Sequence, residues 1–169
     1  MHETPADLEA LQAMLDVSRT TASDHLREIL SEALRLSADE LVGLLIGVRV
    51  LVVATVTATG EPLSAPADGI LHRGRFHFAT SPDSVRARHL AARPAVSATY
   101  LEGEQIVVMV HGRAVRVDPA DPAERAFRET LAEVYEPRYG PTWIDWATES
   151  ATYYRIEPRR MFASRLPGS

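Results

Sequence analysis

The chain has 169 residues, 46% of them apolar and 24% charged, a balance that supports one folded core and leaves disorder to the tips. Its net charge of −5 gives no general attraction to nucleic acid or an anionic membrane, and the absence of cysteine excludes disulfides, thiolate metal sites and a Cys–His nucleophile. The longest apolar runs, VLVVATV and IVVMV, are too short to cross a bilayer, and no basic region precedes an apolar stretch at the N-terminus, so the reading is a soluble, cytoplasmic protein.

Residues 15–30, LDVSRTTASDHLREIL, look like the turn and recognition helix of a DNA-binding helix-turn-helix. Charge argues against that regulator. Residues 1–45 hold nine acidic residues against Arg19, Arg27 and Arg35, and DNA affinity is built by neutralising phosphates with cations. Helical spacing accounts for the same residues: Leu8, Leu11 and Leu15 mark one short amphipathic helix, and Leu26, Leu30 and Leu34 a second, with DVSRTT joining them. Ser37 and Glu40 then form a capping box ahead of a third, which carries Leu41, Leu44 and Leu45. Residues 1–46 are thus read as a helical appendage and residues 47–169 as the main domain.

Strand signals begin at Val48. VRVLVVATVTA is rich in β-branched residues, and TGEP at 59–62 turns it into a hairpin with LSAPADGILH, where Pro66 and Gly69 predict an edge, a bulge or a ligand. RGRFHFAT continues as a third strand, Phe76 and Phe78 on one face and Arg75 and His77 on the other. In SPDSVRARHLAARP a helix is expected to open at Ser81, with Pro82 at its first position, and to stop before Pro94. AVSATYLEG and EQIVVMVHGRAVRVD make the next hairpin, the latter apolar on both faces over 106–110 and so central. Asp121, Pro122 and Glu124 start a late helix that buries Phe127, Leu131 and Val134 and ends at Pro137. SATYYRIEPRRMFAS supplies the last strand.

The chemistry concentrates around the Ser81 segment. Unpaired amides in a first helical turn favour anions, Thr80 and Ser84 add hydroxyls, and Arg86 and Arg88 add charged donors suited to phosphate; a solvated, arginine-rich helix explains the same residues without a ligand. SAPADG offers backbone groups to a flat ligand, or is a plain edge-strand irregularity. Trp143 and Trp146, in YGPTWIDWATES, suit core packing or a place beside a flat cofactor. His72, His77, His89 and His111 are dispersed without HExxH spacing, so no metal is expected, and no GxSxG elbow supports hydrolysis.

Over residues 50–117 the order of these motifs resembles the split-barrel flavin-binding superfamily named after pyridoxamine 5'-phosphate oxidase. FATSPDSVRARHLAARPAVS is similar to that superfamily's strand, phosphate-binding helix start and following strand opening. The resemblance implies a mainly β fold, a six-stranded antiparallel split β-barrel with the N-terminal helices appended, and a homodimer with FMN or a deazaflavin in the groove between subunits. On these residues it implies that Ala65, Pro66, Ala67 and Asp68 line the ring with backbone groups, and that Ala79, Thr80, Ser84, Arg86 and Arg88 hold the phosphate end. His111 and Trp143 would reach the groove as well, from the partner subunit. APADGIL lacks the basic R.VLLK pattern of the oxidase itself, RLHDR is absent, and SRLPGS only echoes it, so vitamin B6 oxidation is not implied.

The function expected is therefore an FMN- or deazaflavin-dependent oxidoreductase exchanging a hydride with a small organic substrate, with no catalytic side chain identified and no nucleic-acid or membrane partner. The alternatives are a non-catalytic flavin-binding carrier or sensor on the same barrel and, more remotely, the helix-turn-helix regulator.

Overall fold

β-branched and aromatic residues alternate through the middle of the chain, and six antiparallel strands form there: β1 (Arg49–Val56), β2 (Pro62–His72), β3 (Arg75–Thr80), β4 (Ala95–Glu102), β5 (Ile106–Val117) and β6 (Thr152–Arg165). The structure, a computed structural model, describes residues 2–166; the end of the SRLPGS stretch lies outside them. The strands close into a barrel in the order β1-β2-β3-β6-β5-β4. Leu51, Val53, Phe76, Phe78, Val108, Val110, Ile156 and Met161 fill it, in phase with the period of two in β1, β3 and β5, while an irregularity in β6 sets Ile156 and Met161 an odd number of residues apart.

The helices are α1 (Pro5–Thr20), α2 (Asp24–Ile29), α3 (Ala38–Leu44), α4 (Val85–Ala92), α5 (Arg125–Tyr139) and α6 (Trp143–Ser150). The Ser37–Glu40 capping box opens α3 as expected. The second amphipathic helix is shorter than its leucine spacing suggests: α2 stops at Ile29, and Leu34 falls in a separate 3-10 turn. Arg19 accounts for the break, since its Nη1 donates to the Leu30 carbonyl at 2.9 Å and holds it outside a helix. α4 begins at Val85 with Ser84 as its cap, not at Ser81; residues 81–84 form a turn in which the Ser84 amide donates to the Ser81 carbonyl. Pro137 lies inside the last turn of α5, and Gly140, at φ 96°, ends that helix.

The N-terminal segment is stitched to the barrel. Leu11 and Leu15 enter the main core, and Ser18 Oγ donates to the Met14 carbonyl and accepts from the Met161 amide at 2.8 Å. Residues 34–36 lie along β6, with the Leu36 amide on the Ala163 carbonyl and Ser164 Oγ on the Leu34 carbonyl. Leu30 covers Val107 and Phe162, which explains why β5 is apolar on its outer face too. Arg19, Arg27 and Arg35 are paired with Glu32, Asp24 and Asp16.

β2 runs without a bulge; its Pro66 sits opposite Val52, on a stretch paired with β1 alone. The register shift comes elsewhere, between His111 and Gly112, where β6 holds Arg159 as an extra residue. A Cβ on Gly112 would run into the Glu157 carbonyl. Gly112→Ala is accordingly expected to lower stability by about 1 to 3 kcal/mol, the usual scale of overpacking, read from the denaturant midpoint.

α5 buries Phe127 and Leu131 on the outer face of β2, β3 and β6, over His72 and His77. The His77 ring stacks on Phe127 at 4.3 Å and its Nδ1 bonds the Arg75 carbonyl, while His72 Nδ1 meets Thr130 Oγ1. Burial pushes His72 down to about 4 and His77 to about 3, with nearby positive charge adding to it. Both values lie below that of an unfolded histidine, so the unfolded chain binds more protons between about pH 3 and 6.5. Stability from this pair is complete above that window and is lost as pH falls through it. His77→Phe, which keeps a ring against Phe127, is expected to flatten the fall in unfolding free energy between pH 6.5 and 4 by up to about 1.4 kcal/mol per pH unit.

Candidate functional site

The β2–β3 ladder spans only Gly69 to His72, and β3 turns away to pair with β6 through residues 77–80. Residues 62–68 of β2 are thereby left with one open edge. α4 lies across this split. Its buried Ala87 and Leu90 face the barrel end, His89 Nδ1 bonds Thr55 Oγ1 at 3.0 Å, and Arg93 Nε donates to the Val56 carbonyl.

Arg86 projects from α4 to the open edge, where its Nη2 donates to the Ala65 and Pro66 carbonyls at 2.9 and 3.0 Å. Among the described residues no carboxylate pairs with it, and partial burial lowers its pKa. Beside it, the Thr80 and Ser84 hydroxyls meet at 2.9 Å, Ser84 also accepting from the Ala87 amide. A half-buried guanidinium bonded only to neutral carbonyls, next to two hydroxyls and the first turn of an eight-residue helix, is a donor set for an oxyanion.

A cavity of about 520 Å³ adjoins this corner, with Asp68, Ala79, Thr80 and Ser81 on its barrel side. α5 and α6 supply Tyr135, Tyr139, Trp143 and Trp146. Tyr135 and Trp143 stack at 4.2 Å. Burial pushes the Tyr135 phenol up, the Asp68 carboxylate adding to it, and raises Tyr153 to about 12. Tyr135 and Tyr153 are therefore neutral hydrogen-bonding groups near neutral pH.

Of the residues singled out from sequence, Asp68, Ala79, Thr80 and Trp143 line the cavity, and Ala65, Pro66, Ser84 and Arg86 join it through hydrogen bonds at the split. Ala67 turns its side chain into the barrel core opposite Leu51. Arg88 folds back, its Nη1 donating to the Asp83 carbonyl at 2.8 Å. His111 lies on the outer face of β5, 2.8 Å from Ser97 Oγ, and is not part of the cavity lining. Trp146, singled out with Trp143, lines the cavity too, as does Ser81, whereas Tyr135, Tyr139 and Tyr153 were not anticipated. The fourfold spacing of Tyr135, Tyr139 and Trp143 was the available signal, hidden by Pro137 and Gly140 between them.

A family model described as pyridoxamine 5'-phosphate oxidase matches residues 37–164, most of the chain. The chain belongs to the pyridoxamine 5'-phosphate oxidase family. Solved structures agree on the fold. A conserved hypothetical protein from Mycobacterium tuberculosis is 21% identical at a TM-score of 0.66, covering 80% of this chain and 88% of that one. A heme-binding protein from Mycobacterium smegmatis is 20% identical at 0.61, covering 80% and 57%. A protein named F420 reductase is 20% identical at 0.53, covering 70% and 93%. Identities this low establish shared architecture alone. No curated protein is similar enough to the chain to count as a relative.

Proposed function

We propose that this member of the family binds FMN or a deazaflavin at the β2–β3 split and works as an oxidoreductase on a small organic substrate. The observation that carries the reading is the Arg86 guanidinium, which has no carboxylate partner among the described residues and stands beside the Thr80–Ser84 hydroxyl pair. These donors suit a phosphate monoester, with the Val85 and Arg86 amides of the first helical turn unpaired within α4. The open edge at Ala65 to Asp68 offers backbone groups to a flat ring. A bound flavin would supply hydride transfer; the chain's residues bind, orient and exclude water. The likeness to an F420 reductase favours a deazaflavin as readily as FMN.

A homodimer is part of this proposal. Val50 and Val52 on β1 and Leu101 on β4 are 58%, 46% and 56% exposed, and the two strands are neighbours through the Val52–Thr99 pairing. Three large aliphatic side chains on one outer face call for a cover, and a second copy would bring residues such as His111 toward the groove. A heme, as the name of the Mycobacterium smegmatis neighbour raises, finds less support: no histidine or methionine lines the cavity, and burial holds Tyr135 and Tyr153 away from the phenolate form. A non-catalytic flavin carrier would share every binding feature, and is distinguished by inertness toward hydride donors and acceptors.

Titration of the full chain with FMN and with a deazaflavin should show saturable binding to one of them, and Arg86→Ala should weaken it by about 1 to 3 kcal/mol in calorimetry, the scale of a lost charged hydrogen bond. Unchanged affinity in that variant would remove Arg86 from the site. For the dimer, Val50→Glu combined with Val52→Lys should halve the mass found by sedimentation; a wild-type chain already at monomer mass would refute it.

A further inference from the structure

The cavity beside the split has a chemical character of its own. Aromatic rings dominate one side of it, while among the described residues Asp68 is the only charged one in its lining, and neither arginine nor histidine borders it. Trp146 is 63% exposed and Tyr139 55%, although both belong to the lining. Indole and phenol rings left uncovered in a concave site lose the apolar contact that ordinarily holds such groups, and a ligand restores it. Arg138, outside the lining, already places its guanidinium 5.3 Å from the Tyr139 centroid, so the less encumbered face belongs to Trp146.

The charge selects the ligand. A carboxylate in a cavity without a cation repels anions and attracts a positive charge, more strongly as water is displaced. Aromatic faces favour the same sign, because the ring quadrupole is negative over the face, and tryptophan is the best of them. An anionic substrate would have to approach Asp68 with nothing in the lining to offset the repulsion.

We propose that this cavity is the seat of a flat, heteroaromatic organic cation, stacked against Trp146 and Trp143 and selected over neutral and anionic analogues by the Asp68 carboxylate. As the substrate class of the enzyme, the cation rests on the flavin site proposed above; as a binding site, it stands without it.

The chain contains two tryptophans, Trp143 and Trp146, and both line this cavity, so tryptophan fluorescence, excited at wavelengths tyrosine does not absorb, reports on it. The full chain is titrated with 1-methylquinolinium, neutral 1-methylnaphthalene and anionic 1-naphthoate. The expected result is saturable quenching by the cation, about tenfold tighter than by the neutral ring, and none by the anion. Asp68→Asn should abolish that tenfold preference while leaving the neutral ring's affinity in place, which shows the cavity still folded; Trp146→Ala should weaken both. Absence of saturable quenching, equal affinity for cation and anion, or a preference that survives Asp68→Asn would overturn the proposal. So would competitive displacement of the cation by FMN in equilibrium dialysis, which would make the cavity the cofactor's own seat. If the cation binds and neither FMN nor deazaflavin does, the site stands and its role as substrate site falls.

Discussion

Two strand edges that the barrel leaves unpaired organise this molecule. β3 is short, so it pairs with the end of β2 and the start of β6 and abandons the rest of both. Backbone donors and acceptors on an open edge must be hydrated, covered or paired. The chain solves the problem differently on each side. Along β6, residues 34–36 and the Ser18 hydroxyl supply hydrogen bonds from the N-terminal segment. Along β2, one guanidinium does so, and because Arg86 satisfies two carbonyls with a single nitrogen, much of its donor capacity remains for another group. One edge is closed by the chain and the other stays half-open.

The strands were legible because their side-chain period and their turn residues agree. β1, β4 and β5 follow from β-branched alternation, and the double-sided apolar run at 106–110 announced a strand covered on both faces. Helix limits were less legible where a tertiary bond overrides local spacing. The Leu26, Leu30, Leu34 series reads as one helix until Arg19, eleven residues upstream of Leu30, takes the Leu30 carbonyl. Ser81 and Ser84 both have capping chemistry, and only the buried positions of Ala87 and Leu90 against the barrel decide for Ser84. Pro66 and Gly69 suggested an edge, a bulge or a ligand in β2; the bulge falls instead in β6 at Arg159, beside Pro158 and opposite the step from His111 to Gly112, where Gly112 lies close against the Glu157 backbone.

The corner of hydroxyls and guanidinium at the split could be anticipated because its parts are close in sequence: Thr80, Ser84 and Arg86 span seven positions. What could not be read was which arginine reaches the split. Arg86 and Arg88 are alike in type and local context, yet one reaches β2 and the other bonds its own helix-opening turn. The aromatic wall required knowing that α6 exists, since WIDWATES follows a glycine and a proline and lies between elements with clearer patterns. Asp68 acquires meaning only when α5 brings Tyr135 over it.

The bond between Ser18 and the Met161 amide joins positions 143 residues apart. The first helix thus completes its packing only against the last strand of the barrel, although α3 and the β2–β3 turn at Gly74 meet it too. Contacts so distant along the chain slow folding and prolong the exposure of sticky surface.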